Sequence, residues 1–309
     1  HIAAVNPAVN AIVSLRPREE LLAEADAADR AVTRGDDVGP LHGLPQAIKD
    51  LAMTRGLRTT MGSPLFADQV PDTDAIFVAR MRAAGAIIIG KTNVPEFGYG
   101  SNSYNPVFGL TRNAWDPSRI GGGSSGGAGV ALAMRMLPVA DGSDMGGSLR
   151  NPAAFNNVFG FRPSQGRVPS DGLDPFYGQL PTDGPMGRSV EDVAMLLSVQ
   201  AGYDRRAPLS LEDPGFRFED QLGRPAKALR FGWLGDLGGH LPFEPGVLDV
   251  CGGALDLLRQ TGSVVEPARV DFDPERLWRA FVVLRQHSVG GRHDDAWRDR
   301  KSTRLNSSH

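Results

Sequence analysis

The chain of 309 residues carries 33 Lys and Arg against 36 Asp and Glu, and its hydrophobic and charged fractions of 41% and 22% are ordinary for a globular protein. A formal charge of −3 gives no electrostatic footprint for nucleic acid or for an anionic membrane surface. No apolar run approaches the roughly 18 residues of a transmembrane helix, and the single cysteine, Cys251, favours a reducing, cytoplasmic compartment.

Both ends of the sequence resemble cut ends. It begins at His1 without a signal-peptide pattern, and apolar residues recur at helical spacing from the start, as they do inside a domain. Residues 301–309 show no helix cap and no hydrophobic pattern, and we interpret them as a foreign tail. We expect one α/β domain over residues 1–300, truncated at both ends. Such a fragment is expected to be poorly stable or inactive.

The elements predicted along the chain alternate between helix and strand. In the N-terminal part we predict a helix over 17–34, a strand-like run over 45–51, a helix from Thr73 or Asp74 to Ala84, a strand over 86–90 and a loop over 98–123. Farther on we predict helices over 125–136, 149–155, 189–202, 245–260 and 274–289, and strands over 137–140, 229–234 and 264–270. This alternation favours an α/β fold with a central mixed β-sheet flanked by helices.

Two turns rich in glycine and serine carry the most information, and each leads into a predicted helix. The first is GGGSSGG at 121–127, and the second is DMGGSLR at 144–150. A helix N-terminus presents unpaired N–H groups and the positive end of a dipole, so both turns suit negative charge. One such turn is commonly only a capped tight turn, whereas two weaken that interpretation. The second turn could supply an oxyanion hole from the backbone N–H groups of Met145, Gly146, Gly147 and Ser148.

A catalytic serine needs a base, and none of the six histidines lies in either turn. Lys49 stands in the apolar run PQAIKDL, where desolvation can lower the pKa of an amine enough to supply its neutral form. A lone lysine is more commonly a solvated surface charge. Spacing alone therefore leaves both interpretations of Lys49 open.

The first turn allows two other interpretations. Its segment GSSGG at 123–127 matches G-x-S-x-G, the nucleophile elbow of an α/β-hydrolase such as an esterase, with Ser125 as nucleophile. That elbow follows a strand directly, and NAWDPSRIG at 113–121 does not have a strand pattern. A nucleotide-binding loop would need Gly-Lys-Ser or Gly-Lys-Thr, which neither turn contains.

Three segments together resemble the amidase signature family: GLPQAIKDL around Lys49, GLTRNAWDPSRIGGGSSGGAG at 109–129 and DGSDMGGSLRNPAAF at 141–155. The resemblance runs from about residue 2 to residue 290 and implies the amidase-signature fold with its C-terminal part missing. It implies a Ser-cisSer-Lys triad, with Ser148 as nucleophile, Ser124 after a cis peptide bond and Lys49 as base. It further implies support from Ser125, Asp144 and Arg150, and an acyl pocket at Gly98, Tyr99 and Gly100.

The sequence departs from the usual family pattern at three positions, which we expect to lie away from the triad: Gly121, Ser143 and Asn156. The implied activity is hydrolysis of a carboxylic amide to an acid and ammonia or an amine through an acyl-enzyme, with no cofactor and no metal. The expected partner is a small-molecule amide, without nucleic acid or membrane, and a homodimer is left open. The alternative is an amidotransferase component that shares this signature, acts inside a complex and generates amide-charged tRNA.

Overall fold

The computed structural model describes residues 1–223 and 229–298, which divide into two compact units. The first unit comprises residues 1–220 and the described end of the chain from residue 293, and the second comprises residues 221–292. The predicted foreign tail at 301–309 lies outside the described residues. Among the helices of the described part, none is both long enough and apolar enough to cross a bilayer.

A three-stranded mixed sheet forms the N-terminal part of the first unit. Strands β1 (Ile12–Val13), β2 (Pro45–Lys49) and β3 (Ile87–Thr92) lie in the order β1-β3-β2, with β2 parallel and β1 antiparallel to β3. The helices of this part are α1 (Ile2–Val9), α2 (Arg18–Arg34) and α3 (Ile76–Ala83). The strand β3 is buried along its whole length, as is typical of a parallel pair covered on both faces.

Two predicted boundaries in this part are wrong, and side-chain bonding explains each. The helix α3 begins at Ile76 because the carboxylate of Asp74 is bound by the Arg82 guanidinium at 3.1 Å and the Arg55 N–H at 2.7 Å, so it does not cap the helix. The strand β3 continues to Thr92. Its Lys91 can stay buried because the ammonium donates to the Ala52 carbonyl at 2.7 Å.

The region 98–123 is mostly irregular, as predicted, with a short hairpin of β4 (Tyr104–Asn105) and β5 (Gly109–Leu110). After it come α4 (Gly126–Ala133), β6 (Ala140–Asp144), α5 (Arg150–Asn156), β7 (Phe159–Gly160), β8 (Thr182–Gly187) and α6 (Val190–Gln200). The three strands form an antiparallel sheet in the order β6-β8-β7. The predicted start of this helix at residue 189 is confirmed, because Ser189 and Asp192 form a capping box at the beginning of α6.

The predicted strand at 137–140 is wrong, since β6 occupies residues 140–144. Its polar and glycine residues have the composition of a turn, but they pair residue by residue with β8, from Ala140 opposite Met186 to Asp144 opposite Thr182. Strand formation here depends on the neighbouring strand rather than on intrinsic propensity. Neither β8 nor β7 was predicted, for the same reason.

Two buried apolar clusters cover opposite faces of the β1-β3-β2 sheet. Ala47, Ile87 and Ile89 belong to the cluster that contains α4 and α5, whereas Ile48 and Ile88 belong to the cluster that contains α3 and α6. Alternation along a strand therefore places Lys49, two residues after Ala47, on the face covered by α4.

The second unit is a parallel β-α-β arrangement of β9 (Arg230–Trp233), α7 (Val247–Gln260) and β10 (Val264–Pro267), followed by residues 274–292 of α8 (Pro274–Arg298). All four elements were predicted, with shifted ends. Strand β10 stops at Pro267 instead of residue 270, and α8 continues beyond the predicted residue 289 to Arg298.

Candidate active site

Lys49 is the last residue of β2 and is only 1% exposed, which decides between the two interpretations: it is a buried lysine and not a solvated surface charge. Its Nζ lies 2.8 Å from the Oγ atoms of Ser124 and Ser125. It also lies 2.9 Å from the Oγ and 3.2 Å from the carbonyl oxygen of Ser143. A buried amine is thus enclosed by the hydroxyl groups of the first turn and of β6.

The first turn is held by bonds from the neighbouring loop and from the second turn. The peptide bond Gly123–Ser124 is cis, as the resemblance implies. The Oγ of Ser103 accepts the N–H of Gly126 at 3.1 Å, just where α4 begins. The N–H of Ser125 donates to the carbonyl of Ser148 at 3.2 Å, which ties the two turns together.

The departures from the family pattern fall into two groups. The amide of Asn156 donates to the Gly121 carbonyl at 2.8 Å, so two of the departures contact each other and brace the first turn. Ser143 instead contacts Lys49 directly. The expectation that all three departures lie away from the triad residues is therefore wrong for Ser143.

Close backbone packing explains the glycines of the first turn. A Cβ on Gly127 would lie 2.3 Å from the Asn93 nitrogen and 2.6 Å from the Ala11 carbonyl oxygen. Because backbone atoms cannot rotate away, we expect Gly127→Ala to destabilise the first unit by about 1–3 kcal/mol or more, measured by thermal unfolding. Gly253→Ala in α7 is the matched control, since its Cβ would meet nothing within 4 Å. Equal transition midpoints for the two variants would contradict this packing argument.

Asp144 organises the second turn from the end of β6. Its carboxylate accepts the N–H groups of Gly147 at 2.8 Å and Leu149 at 3.1 Å. The guanidinium groups of Arg150 and Arg162 approach it at 3.0 and 3.1 Å. Burial by itself raises the pKa of Asp144, but the bonds from Arg150, Gly147 and Leu149 outweigh it and lower the pKa to about 2. Asp144 is therefore a charged acceptor that shapes the turn.

Bonding at the second turn narrows the set of candidate oxyanion donors. The N–H of Gly147 is already engaged by the Asp144 carboxylate, a charge-assisted bond that a developing oxyanion would have to displace. The remaining candidates are Met145, Gly146 and Ser148. The sequence indicated Asp144 as a supporting residue, but it did not show that its carboxylate takes the N–H of Gly147.

The exposure of the three turn serines separates their roles. Ser124 is 3% exposed and Ser125 is 0% exposed, whereas Ser148 is only half-buried and its neighbour Gly146 is exposed. A substrate carbonyl can therefore approach Ser148 more readily than the two serines of the first turn. The nucleophile-elbow hypothesis for Ser125 fails, because this serine is buried and described residues 113–124 contain no strand leading into it.

The protonation of Lys49 is set by its surroundings. Desolvation lowers its pKa from the ordinary 10.5 to about 7, against the raising effect of the carboxylates Asp141, Asp183 and Asp144. A substantial fraction of the amine is therefore neutral at neutral pH, which is the form that a general base requires.

The loop predicted to line the acyl pocket packs beside the first turn. Gly98 ends a short 3-10 helix, the ring of Tyr99 lies 6.1 Å from that of Phe97, and Gly100 is exposed. A Cβ on Gly123 would lie 2.8 Å from the Asn102 nitrogen, so this loop touches the residue before Ser124. Acyl binding there stays a prediction. Within the described ranges, no three His, Cys, Asp or Glu side chains are grouped to hold a metal ion.

Sequence reasoning did not assign a role to two residues of β6 that contact Lys49. The carboxylate oxygens of Asp141 accept the Lys49 backbone N–H at 3.1 and 3.2 Å, and Ser143 contacts its Nζ. Residues two apart in a strand share a face, so both point toward β2. The alternation of side chains along a strand would have placed Asp141 and Ser143 on one face, but only if the strand had been predicted at 140–144.

Two curated relatives share much of this sequence, and both are components of glutamyl-tRNA(Gln) amidotransferases. The one from Thermus thermophilus is 42% identical over 281 residues, which cover 91% of this chain and 57% of that protein. Its counterpart in Methylococcus capsulatus is 38% identical over 264 residues, covering 85% and 54%. The chain thus spans about half the length of the curated relatives it matches.

Solved structures give a consistent result. A bacterial aryl acylamidase of the amidase signature family matches with a TM-score of 0.88 and 30% identity, over 96% of this chain and 62% of that one. The native peptide amidase from Stenotrophomonas maltophilia matches with a TM-score of 0.76 and 34% identity, over 87% and 56%. Residues 1–296 match the sequence model of the family described as Amidase. The chain therefore belongs to the amidase signature family.

Proposed function

We propose that the protein carrying this chain hydrolyses a carboxylic amide to an acid and ammonia or an amine, using Lys49, Ser124 and Ser148. The observation that carries the proposal is the buried Lys49 amine 2.8 Å from the Ser124 hydroxyl. Amidases among the similar structures support the same reaction class.

The bonding around Lys49 gives its neutral amine a defined orientation. A neutral amine has two N–H donors and one lone pair. The Ser143 carbonyl can only accept, and the Ser125 hydroxyl donates to that carbonyl at 3.3 Å, so both can receive the N–H groups of Lys49. The lone pair is then available to the hydroxyl groups of Ser124 at 2.8 Å and Ser143 at 2.9 Å, and the proposal assigns it to Ser124, which is the direction that proton removal requires.

In the acylation step, Lys49 takes the proton of Ser124 while Ser124 takes the proton of Ser148. The Ser148 oxygen forms a bond to the amide carbon, and the negative charge moves to the carbonyl oxygen. The N–H groups of the second turn would stabilise that charge. When the C–N bond breaks, the ammonium of Lys49 returns a proton through Ser124 to the leaving nitrogen.

Deacylation uses the same relay. A water molecule attacks the ester carbon on Ser148 and loses a proton through Ser124 to Lys49. The bond between carbon and the Ser148 oxygen then breaks, and the proton returns to that oxygen. The acid is released with Lys49 neutral again, so the cycle needs no net proton source.

An amide panel tests the reaction class. Primary amides, anilides and peptide amides would be incubated with the full-length protein that carries this chain, and release of ammonia or amine would be measured. Turnover of at least one class is expected, and it should be lost in Ser148→Ala. Hydrolysis that persists in that variant, or appears only with esters, would contradict the proposal.

The rate should depend on pH through Lys49. Its pKa is lowered to about 7 in the folded protein, and the neutral form is the active base, so activity is gained as the pH rises through about 7. We expect kcat to fall about tenfold per unit below that value. A profile that is flat from pH 5 to pH 8, in a protein that stays folded, would contradict this assignment.

One observation favours a second candidate function, action within a multi-protein complex. The two curated relatives described above are named as components of glutamyl-tRNA(Gln) amidotransferase. If this protein acts in that way, glutamine would be its amide substrate, and hydrolysis would depend on co-purified partner proteins. Turnover of free amides by the isolated protein would favour the simple amidase. Glutamine-specific hydrolysis only with partners would favour the amidotransferase.

A further inference from the structure

A group of buried charges that the proposed mechanism does not use surrounds the backbone of Lys49. Asp141 is 1% exposed, and Asp50 and Lys91 are fully buried. Lys49 is opposite Thr92 in the parallel ladder, and Lys91 is opposite Ile48, so the two lysine side chains leave the sheet on opposite faces. Lys91 therefore cannot replace Lys49 beside Ser124, and this second lysine needs another explanation.

Asp141 is the residue of this group that bonds directly to Lys49. In the sheet order β1-β3-β2, strand β2 is at the edge, and β6 comes beside it. The Asp141 carboxylate accepts the Lys49 N–H with both oxygens, at 3.1 and 3.2 Å, where a further strand would otherwise supply a carbonyl. The bond fixes the end of β2 at the residue whose side chain must reach Ser124.

The surrounding charges can balance a proton on Lys49. Asp50 and Asp141 supply two buried carboxylates, and Lys91 supplies one ammonium, whose Nζ donates to Thr54 at 2.8 Å. When Lys49 is neutral, this group carries one more negative charge than positive charge. A proton arriving on Lys49 makes the charges within this group equal, and the carboxylates of Asp141, Asp183 and Asp144 favour the charged amine.

The other groups that face Lys49 are accounted for. Asp144 on β6 is paired with Arg150 and Arg162, and Asp183 on β8 also acts on Lys49 electrostatically. The helix α4 contributes no charged residue to this face, since its sequence is GGAGVALA. Asp141 is therefore the carboxylate with both a direct bond to Lys49 and no arginine partner among the described residues.

We propose that Asp141 is a positioning residue for Lys49, which holds its backbone in place and supplies the negative charge that balances its ammonium during the reaction. This inference rests on the proposed function of Lys49 as base. In keeping with it, burial raises the pKa of Asp141 to about 6, against the lowering effects of the Lys49 N–H and of the charges on Lys91 and Lys49. The carboxylate is thus mostly charged near pH 7, where Lys49 is half protonated.

Asp141→Asn tests the inference, because it keeps the size of the side chain and one acceptor oxygen but removes the charge. Without that charge the Lys49 ammonium is less stable, so the acid limb of the kcat profile should move to lower pH by on the order of one unit. The plateau of kcat should fall about tenfold with KM nearly unchanged, because a less basic amine is a weaker general base. Asp192→Asn is the control, because this carboxylate likewise accepts from backbone N–H groups, those of Arg188 and Ser189, but it caps α6 outside the site.

A second readout does not depend on activity. In the full-length protein, isotope-labelled lysine gives side-chain signals that can be titrated by NMR, and residues 1–300 contribute three of them, from Lys49, Lys91 and Lys227. The Lys49 signal, identified by its loss in Lys49→Met, should titrate at lower pH in Asp141→Asn than in the parent. In the parent it should also show a second inflection near pH 6, where Asp141 titrates. Because the second inflection is measured in the parent protein, it tests the role of Asp141 even if Asp141→Asn does not fold.

The outcomes distinguish the positioning role of Asp141 from the proposed function of Lys49 as the base. An unchanged Lys49 titration in Asp141→Asn, or a parent signal with one inflection, would overturn the role of Asp141. The same shift of the acid limb in Asp192→Asn would also overturn it, since a general loss of stability would then be the cause. Full activity in Lys49→Met would instead remove the proposed function, and the NMR titration would still report on Asp141.

Discussion

Replacing Ser148 by alanine is expected to lower kcat by on the order of 10³-fold or more, since no other group can form the acyl-enzyme. Ser148 is half-buried in the second turn. Its bond to the Ser125 N–H is accepted by its backbone carbonyl, so the side chain takes no part in it. The variant should therefore fold with a thermal midpoint close to that of the parent. Steady-state release of ammonia or amine from the best amide of the panel measures the loss.

Ser118→Ala provides a matched control for this serine, because Ser118 is exposed and its hydroxyl bonds only locally to Asp116 at 2.6 Å. Its kcat should stay near the parental value. If Ser148→Ala retained turnover within tenfold of the parent, Ser148 would not be the nucleophile. The buried serines of the first turn would then have to be reconsidered.

Replacing Lys49 by alanine is expected to lower kcat by about 10²-fold or more, the usual cost of losing a general base. The change removes the amine that contacts Ser124, Ser125 and Ser143, so Ser124 loses the base that takes its proton. The activity that remains should also lose its dependence on pH around 7, because the titrating group is gone. Steady-state kinetics from pH 6 to pH 9 measure both effects.

Lys49→Met is the companion variant, since it keeps an unbranched apolar side chain in the buried site and removes only the amine. Both variants should lose activity to a similar extent, although Lys49→Met should keep more thermal stability because it leaves no cavity. Near-parental turnover in Lys49→Met across this range would show that Lys49 is not the base. Loss of activity in Lys49→Ala but not in Lys49→Met would indicate that the Lys49 side chain has a packing role.

The sequence predicted those elements whose pattern is local. Helix α2 ends at Gly35, which has a φ of 78°, and α6 begins at a capping box, so both helices carry their own boundary signals. The apolar residues before Lys49 made a buried lysine one of two open interpretations, and the family resemblance favoured it. The two serine turns were identified because consecutive glycines permit backbone approaches that a Cβ would block.

What the sequence did not predict depends on distant partners. Strands β6 and β8 are rich in Gly, Asp and Pro and lack β-propensity, yet each provides the pairing groups of the other. With the strand placed at 137–140 instead of 140–144, Asp141 and Ser143 were not assigned to a strand face. Their contacts with Lys49 span more than 90 residues, a separation at which periodicity gives no information.

Covalent trapping of the nucleophile gives the most direct test of the proposed reaction. A fluorophosphonate labels an activated serine, and trypsin, which cuts after arginine, separates the two turns into peptides 120–135 and 136–150. We expect one adduct, in peptide 136–150, with fragmentation placing it on Ser148 and not on Ser143, and none in Ser148→Ala. An adduct in peptide 120–135, on Ser124 or Ser125, would contradict the assignment of Ser148 as the nucleophile.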